Sequence, residues 1–250
     1  SLSFLQLFSR MPAAAAQGIL WGLMALGVFI TFRVLDIADL TVDGSFATGG
    51  AVTVMLLLAG WPAWAALLAA LAAGMLTGLV TGELHTRFGI PVILSGILTQ
   101  FALYSINLRI MTKANQTASI KKFGTIWDPA THGKGFLVSS LYIPQAIVVG
   151  LLLAVLVIAL LYCYFGTEHG SAMRATGSNP AMSRAQGINT DLCKVLGLMI
   201  SNGLVGLSSA LLAQYQGFAD VNMGRGSIVI GLAAVIIGEA IFGRIFHNFA

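Results

Sequence analysis

Charge is what this 250-residue chain has least of: 9% of its residues are Asp, Glu, Lys or Arg, and 57% are hydrophobic. A soluble domain carries roughly 25% charged residues, so a water-facing surface cannot be built here. The mean hydropathy of +0.89 agrees, and soluble barrels and sandwiches are excluded. Alternating segments of about ten residues, which mark an outer-membrane barrel, are lacking too; the apolar runs are long and continuous. Cysteine is scarce: Cys163 and Cys193 stand far apart, no disulfide is expected, and no Cys/His spacing suggests a metal site. No phosphate-cradling P-loop is present, so any ATP hydrolysis belongs to a partner. His85, His132, His169 and His247 all fall in loops or at segment ends, which leaves no intramembrane Ser–His pair for proteolysis; no catalytic residue is expected. The net charge of +4 is not read as nucleic-acid binding, because excess Lys and Arg in membrane proteins sets topology. The opening "SLSFLQLFSRM" is too short and too polar for a signal peptide.

What is present is a series of apolar runs. A bilayer-spanning helix needs about 20 mostly apolar residues, and candidates lie at about 18–35, 44–60, 63–83, 91–108, 142–165 and 192–214, with a seventh apolar segment at about 227–243. The fold class is therefore an all-α polytopic transmembrane bundle, read as one domain over 1–250 that is incomplete at its C-terminal end. The second and fourth runs are short or interrupted, by Asp43-Gly44 and by Gly89-Ile90-Pro91. Broken helices survive in a membrane where protein or a water-filled cavity covers the backbone; plain structural bundles contain them too. Gly74, Gly78 and Gly82 recur every four residues and mark a face for close helix packing.

Between the fifth and sixth runs lies "EHGSAMRATGSNPAMSRAQGINT", 168–190. It reads as two short helices, 170–176 and 180–186. Asn179 or Ser178 caps the second, Pro180 sits in its first turn and Gly187 ends it. Arg174 and Arg184 are expected to project. An ordinary interfacial helix would want Trp, Phe or Leu anchors, and 168–187 has none.

This stretch resembles the coupling-helix loop of ABC importer permeases of the ribose and branched-chain amino acid type, whose pattern is roughly G-x-A-x-R-A-x-G-x-N-P-x-x-A-R-x-x-G-I. The match runs through Gly170, Ala172, Arg174, Ala175, Gly177, Asn179, Pro180, Arg184, Gly187 and Ile188, with Met173 inside it; Ser183 departs from the usual Ala. "DLTVDGSFATGGAV" and "IVIGLAAVIIGEAIFG" resemble the family's pore segments. "GLVTGELHTRFGIPVILSGILTQFALYSINLRIM" is similar to a narrower group linked to tryptophan and tyrosine transport. The resemblance implies a multi-pass permease of the bacterial cytoplasmic membrane, paired with a second permease copy as a homodimer. It also implies an ABC ATP-binding subunit that binds the ATP and magnesium, with no cofactor in this chain, and an extracytoplasmic substrate-binding protein. The solute would be small, an amino acid, aromatic in the narrower group. Loop 168–190 would pass ATPase motion to the helices.

With that loop cytoplasmic, counting back places the N-terminus outside and the basic loop at about 109–141 outside, against the charge rule. Lys113, Lys121 and Lys122 in that loop are then expected to dock the binding protein, the alternative being anionic lipid headgroups. Asp43, Ser95, Gln100, Tyr104, Asn107, Asn202 and Glu239 are the pore candidates, because polar groups in apolar runs are functional candidates by default; interhelical hydrogen bonding is the competing role for each. Asp36, Asp39 and Asp43 form either a gate or interface feature or a solvated cluster at a helix end. Glu239 either faces the pore or pairs with Arg244 or Arg225. An ion-coupled secondary transporter built on Glu239 is the rival reading.

Overall fold

The computed structural model describes residues 4–117, 136–138, 141–143 and 145–243. The helices are α1 (Phe4–Phe29), α2 (Val42–Leu58), α3 (Ala63–Thr86), α4 (Val92–Met111), α5 (Gln145–Phe165), α6 (Glu168–Ser178), α7 (Pro180–Ala185), α8 (Thr190–Gln216) and α9 (Ser227–Phe242). Short strands β1 (Asn115–Thr117) and β4 (Phe218–Asp220) pair antiparallel, as do β2 (Phe136–Val138) and β3 (Leu141–Ile143). Among the described residues five helices are long and apolar enough to cross a membrane; α2 and α9 are shorter. The bundle is the all-α membrane architecture expected from composition.

Two expectations need correction. The first helix begins near Phe4 rather than 18, with Pro12 accommodated inside it. It ends in a π-helical turn over Ile30–Val34, where Leu35 N donates to Ile30 O at 3.1 Å; such a turn inserts one residue and often marks a functional site. The fourth run is not interrupted. Gly89, at φ +67°, makes the turn and Pro91 stands just ahead of the helix, so α4 runs 20 residues unbroken.

Helix α8 is the axis of the bundle: 78% of its spanning window is buried, against 11% for α5. Every helix that packs on α8 does so through small residues. On α3, a Cβ at Gly74 or Gly78 would overlap the carbonyl oxygens of Asn202 and Leu198, and one at Gly82 would press on Val195 at 3.0 Å. Without side chains between them, the backbones close to van der Waals contact, which replaces the hydrophobic drive that lipid removes. On α2, Gly49 meets the Gly206 backbone in the same way. Helix α1 is tied to α8 by hydroxyls: Ser201 Oγ donates to Gly27 O at 2.7 Å and Ser208 Oγ to Leu20 O at 2.5 Å. The two cysteines are free, Cys163 exposed and Cys193 buried.

These contacts fix directions. Helices α1 and α3 run antiparallel to α8, because rising numbers on one meet falling numbers on the other. Helix α2 runs parallel to α8, with Ser45 beside Asn202 and Gly49 beside Gly206. Helix α9 follows α1, with Gly231 against Val28 and Glu239 against Arg33. After α1, residues 35–41 turn back into the protein and deliver the chain to α2 at the level of Asn202, about 18 Å along an α8 roughly 40 Å long at 1.5 Å per residue. After α8, residues 217–226 turn back in the opposite sense and deliver the chain to α9 beside Asp43. A long helix, a returning segment and a half-helix thus occur twice with reversed direction, the inverted arrangement found in many transporters.

Candidate functional site

Two features stand out, one on the surface and one at mid-depth. The surface feature is the α6–α7 element. Its ends are closed by local chemistry. Thr167 Oγ1 accepts from Gly170 N at 3.4 Å to start α6. Asn179 Oδ1 accepts from Met182 N at 3.0 Å to start α7, with Pro180 in the first turn. At the far end Gly187, at φ +85°, lets Gly187 N donate to Arg184 O and Ile188 N to Ser183 O, both at 3.0 Å. That pair of bonds is a Schellman closure, which favours glycine because its left-handed backbone carries no Cβ penalty. Asn189 then caps α8 through Leu192 N at 3.2 Å.

The element is fastened to the bundle. Met173 is 1% exposed and points at Gly197. A Cβ on Gly177 would overlap the Val34 carbonyl, and one on Gly170 the Phe165 backbone. These three motif residues therefore face inward and hold the element down, while Ala172 and Ala175 are half-buried beside them. The two arginines do not project freely. Arg174 Nη2 donates to Phe165 O at 3.0 Å, and Arg184 Nε donates to Thr190 Oγ1 at 2.8 Å with Asp191 at 3.8 Å. The outward face is carried by Ala181, Met182, Ala185 and Gln186, with Met182 53% exposed. That face was not legible as a set, because α7 is too short to show a period.

The mid-depth feature is a cleft of about 370 Å³ where α2, α4 and segment 221–226 meet, within the range of small-molecule sites. Four sequence candidates line it: Asp43, Gln100, Tyr104 and Asn107. Asp43 also caps the other half-helix. Its Oδ1 accepts from Ser227 Oγ at 2.9 Å and Ile228 N at 3.1 Å, and its Oδ2 from Gly226 N at 3.3 Å. Helix α9 starts at Gly226, which has no side chain to cap with. A carboxylate from α2 takes that place, favoured by the positive end of the helix dipole. Thr48 Oγ1 donates to Asn107 Oδ1 at 2.9 Å, which commits that carbonyl oxygen to α2. Phe101, Asn222 and Arg225 also line it, and sequence reasoning did not place them there. The glycine-flanked "NMGRGS" ahead of an apolar run was the available signal.

The other three pore candidates lie elsewhere. Ser95 Oγ donates to Ile90 O and Pro91 O and secures the start of α4. Asn202 is buried in a polar knot: its Nδ2 donates to Asp39 Oδ2 at 2.8 Å, and its Oδ1 accepts from Ser45 Oγ at 2.7 Å. Asp39 Oδ1 accepts from Thr41 N at 2.9 Å and the side chain is fully buried, so it is not part of a solvated cluster; Asp36 is exposed at φ +53°. Thr41, Thr81 and Thr99 continue the knot across α3 to α4. Glu239 pairs with Arg33 of the π-helical turn, not with Arg225. Arg244, Lys121 and Lys122 lie outside the described residues, and Lys113 is exposed after α4. Among the described residues no group of His, Cys, Asp and Glu is placed to hold a metal.

The architecture has known relatives. Over 236 residues the chain is 40% identical to the tyrosine transport system permease protein of Clostridioides difficile, covering 94% of this chain and 75% of that one. It is 34% identical over 236 residues to an uncharacterised protein of Rickettsia prowazekii, covering 94% and 79%. It is 27% identical over 235 residues to the autoinducer 2 import system permease protein LsrC of Yersinia pseudotuberculosis, covering 94% and 62%. No solved structure matches it. Residues 11–249 match the family described as branched-chain amino acid transport system / permease component, and with the multi-pass helical bundle this places the chain in that family of membrane transport permeases.

Proposed function

We propose that this chain is the membrane permease of an ATP-driven ABC importer for an amino acid, aromatic by likeness to the tyrosine permease relative. The observation that carries the reading is the α6–α7 element. It is capped at each start, closed by Gly187 and docked through Met173 and Gly177 onto α8 and the end of α1. An element fastened this way moves as one body with those helices, so a push on its outer face reaches the bundle undamped. ATP and magnesium belong to a separate ATPase subunit that grips Met182 and its neighbours. A second permease copy and an extracytoplasmic binding protein complete the assembly, with α6–α7 on the cytoplasmic side, the N-terminus outside, and Lys113, Lys121 and Lys122 toward the binding protein. Alternating access then follows as rigid-body switching of a bistable assembly. Glu239 is paired with Arg33 and lies away from the cleft, so the carboxylate on which an ion-coupled mechanism would be built is neither free nor in the cleft lining.

The test is purification of the full-length protein from its own membranes in mild detergent, with identification of what accompanies it. An ATP-binding subunit is expected, and Met182→Glu with Ala185→Glu should release it while leaving the permease folded. Recovery of the intact permease alone, from membranes that contain candidate ATPases, defeats the reading.

A further inference from the structure

We infer that the mid-depth cleft is a binding site for a free α-amino acid with an aromatic side chain, with Arg225 as the anchor for its carboxylate; this rests on the transport reading above and names the chemistry of its site. The cleft brings together one cation and one carboxylate, Arg225 and Asp43. Among the described residues the Arg225 side chain has no ion pair or hydrogen bond. The guanidinium is exposed at the cleft with its donors unspent, and its planar fork fits a carboxylate through two parallel bonds. Asp43 is only partly used. Its Oδ1 carries two bonds to the start of α9, while Oδ2 carries a single long one, 3.3 Å from Gly226 N. That leaves acceptor capacity on a carboxylate that lines the cleft, suited to an ammonium group.

The remaining lining sorts the ligand classes. A simple anion has no use for Asp43, and a simple cation is repelled by Arg225. A neutral sugar needs neither charge. A zwitterion uses both, and an α-amino acid holds its two charges on adjoining carbons. Phe101 and Tyr104, on one face of α4 and 70% and 41% exposed, supply ring faces and edges for an aromatic side chain. Gln100 and Asn107 offer amides for a ring hydroxyl. The site also lies where two half-helices meet and diverge, so relative movement of α2 and α9 would open or close it.

The experiment measures equilibrium binding of radiolabelled L-tyrosine to the full-length permease in lipid nanodiscs, with competition by tyramine, which lacks the carboxylate, and by L-alanine, which lacks the ring. Uptake of labelled tyrosine by cells with and without the gene is followed in parallel. Tyrosine should bind, and both competitors should be at least about tenfold weaker, the effect of losing one charge-assisted contact. Arg225→Gln should weaken tyrosine by about tenfold or more and leave tyramine as tight as before or tighter, because the repelling charge is gone, while Arg225→Lys restores part of the tyrosine affinity and shows that the fold survives. Equal tyrosine binding by wild type and Arg225→Gln overturns the anchor, as does tyramine competing as well as tyrosine. Gene-dependent uptake without binding to the permease overturns the cleft as a site and spares the transport reading. Uptake unchanged by loss of the gene overturns the transport reading itself.

Discussion

The two returning segments of this permease have the same shape and opposite fates. Residues 37–41 pass through the protein interior, where Asp39 is held by Thr41 N and Asn202, and Thr41 by Thr81; Asp36, just before them, is exposed. Residues 217–226 pass along the edge of the cleft, where Asn222 and Arg225 are exposed. One segment is satisfied by the protein; the other keeps groups in reserve. Buried polar backbone must be paired, whereas a segment beside a cavity is free to hold side chains for something else. The difference leaves the first segment committed to structure and the second with exposed side chains beside the cleft.

The largest effect should come from the interior segment. Asp39→Leu leaves Thr41 N without its acceptor and takes one of two acceptors from Asn202 Nδ2, which keeps Leu198 O at 2.9 Å, at about 1–3 kcal/mol for each N–H left unpaired. The expected outcome is a permease that aggregates or melts early in a detergent thermal-shift assay, with Asp39→Asn milder because its carbonyl still accepts. If Asp39→Leu melts like wild type, the contrast between the segments is lost.

Asp43→Ala comes next. It removes the cap of α9 and should cost about 0.5–2 kcal/mol, felt in one place. Hydrogen exchange at Ile228 and its neighbours should rise while α2 amides stay protected. Equal loss of protection in α2 would mean that the carboxylate supports its own helix rather than the facing one.

The pair Arg33–Glu239 is half-exposed at both ends, 50% and 41% by side chain, so Arg33→Gln should shift stability by no more than about 1 kcal/mol. Under the importer reading, Glu239→Gln should leave transport independent of sodium and proton gradients, as in wild type. Gradient-dependent uptake abolished by Glu239→Gln would revive an ion-coupled mechanism. The smallest stability effect belongs to Arg225→Gln, within about 0.5 kcal/mol as for exposed sites without partners, checked by the same thermal shift. A large loss would show that Arg225 braces the fold.

Much of the bundle was legible because its signals are local. Apolar run length sets span length, so α3, α5 and α8 were found within a few residues. Asn179-Pro180 and Gly187 set helix ends through bonds to near neighbours, so α6 and α7 were found as well. The glycine repeat of α3 announced a packing face, and α8 fills it. What escaped depends on distant chain. Glu239 sits 206 residues from Arg33, and nothing near either one names the other. Ser95 and Asn202 look like Gln100 and Asn107 in sequence, all polar groups in apolar runs, yet one pair is spent inside the protein and the other faces the cleft. Arg225 was considered only as a partner for Glu239, and its place at the cleft escaped because an arginine in a short polar loop ordinarily faces water.

The sequence by itself determined that this chain lives in a membrane, where most of its helices after the first begin and end, and that the polar stretch 168–190 is a capped, glycine-closed element. Those properties follow from hydropathy and from bonds spanning a few residues. Only the tertiary structure decided that two half-helices start side by side at mid-depth, that a carboxylate on one caps the other, and which polar side chains remain unspent beside them. Those outcomes rest on glycine seams that bring backbones together across the bundle, and the partner of each seam is written elsewhere in the chain.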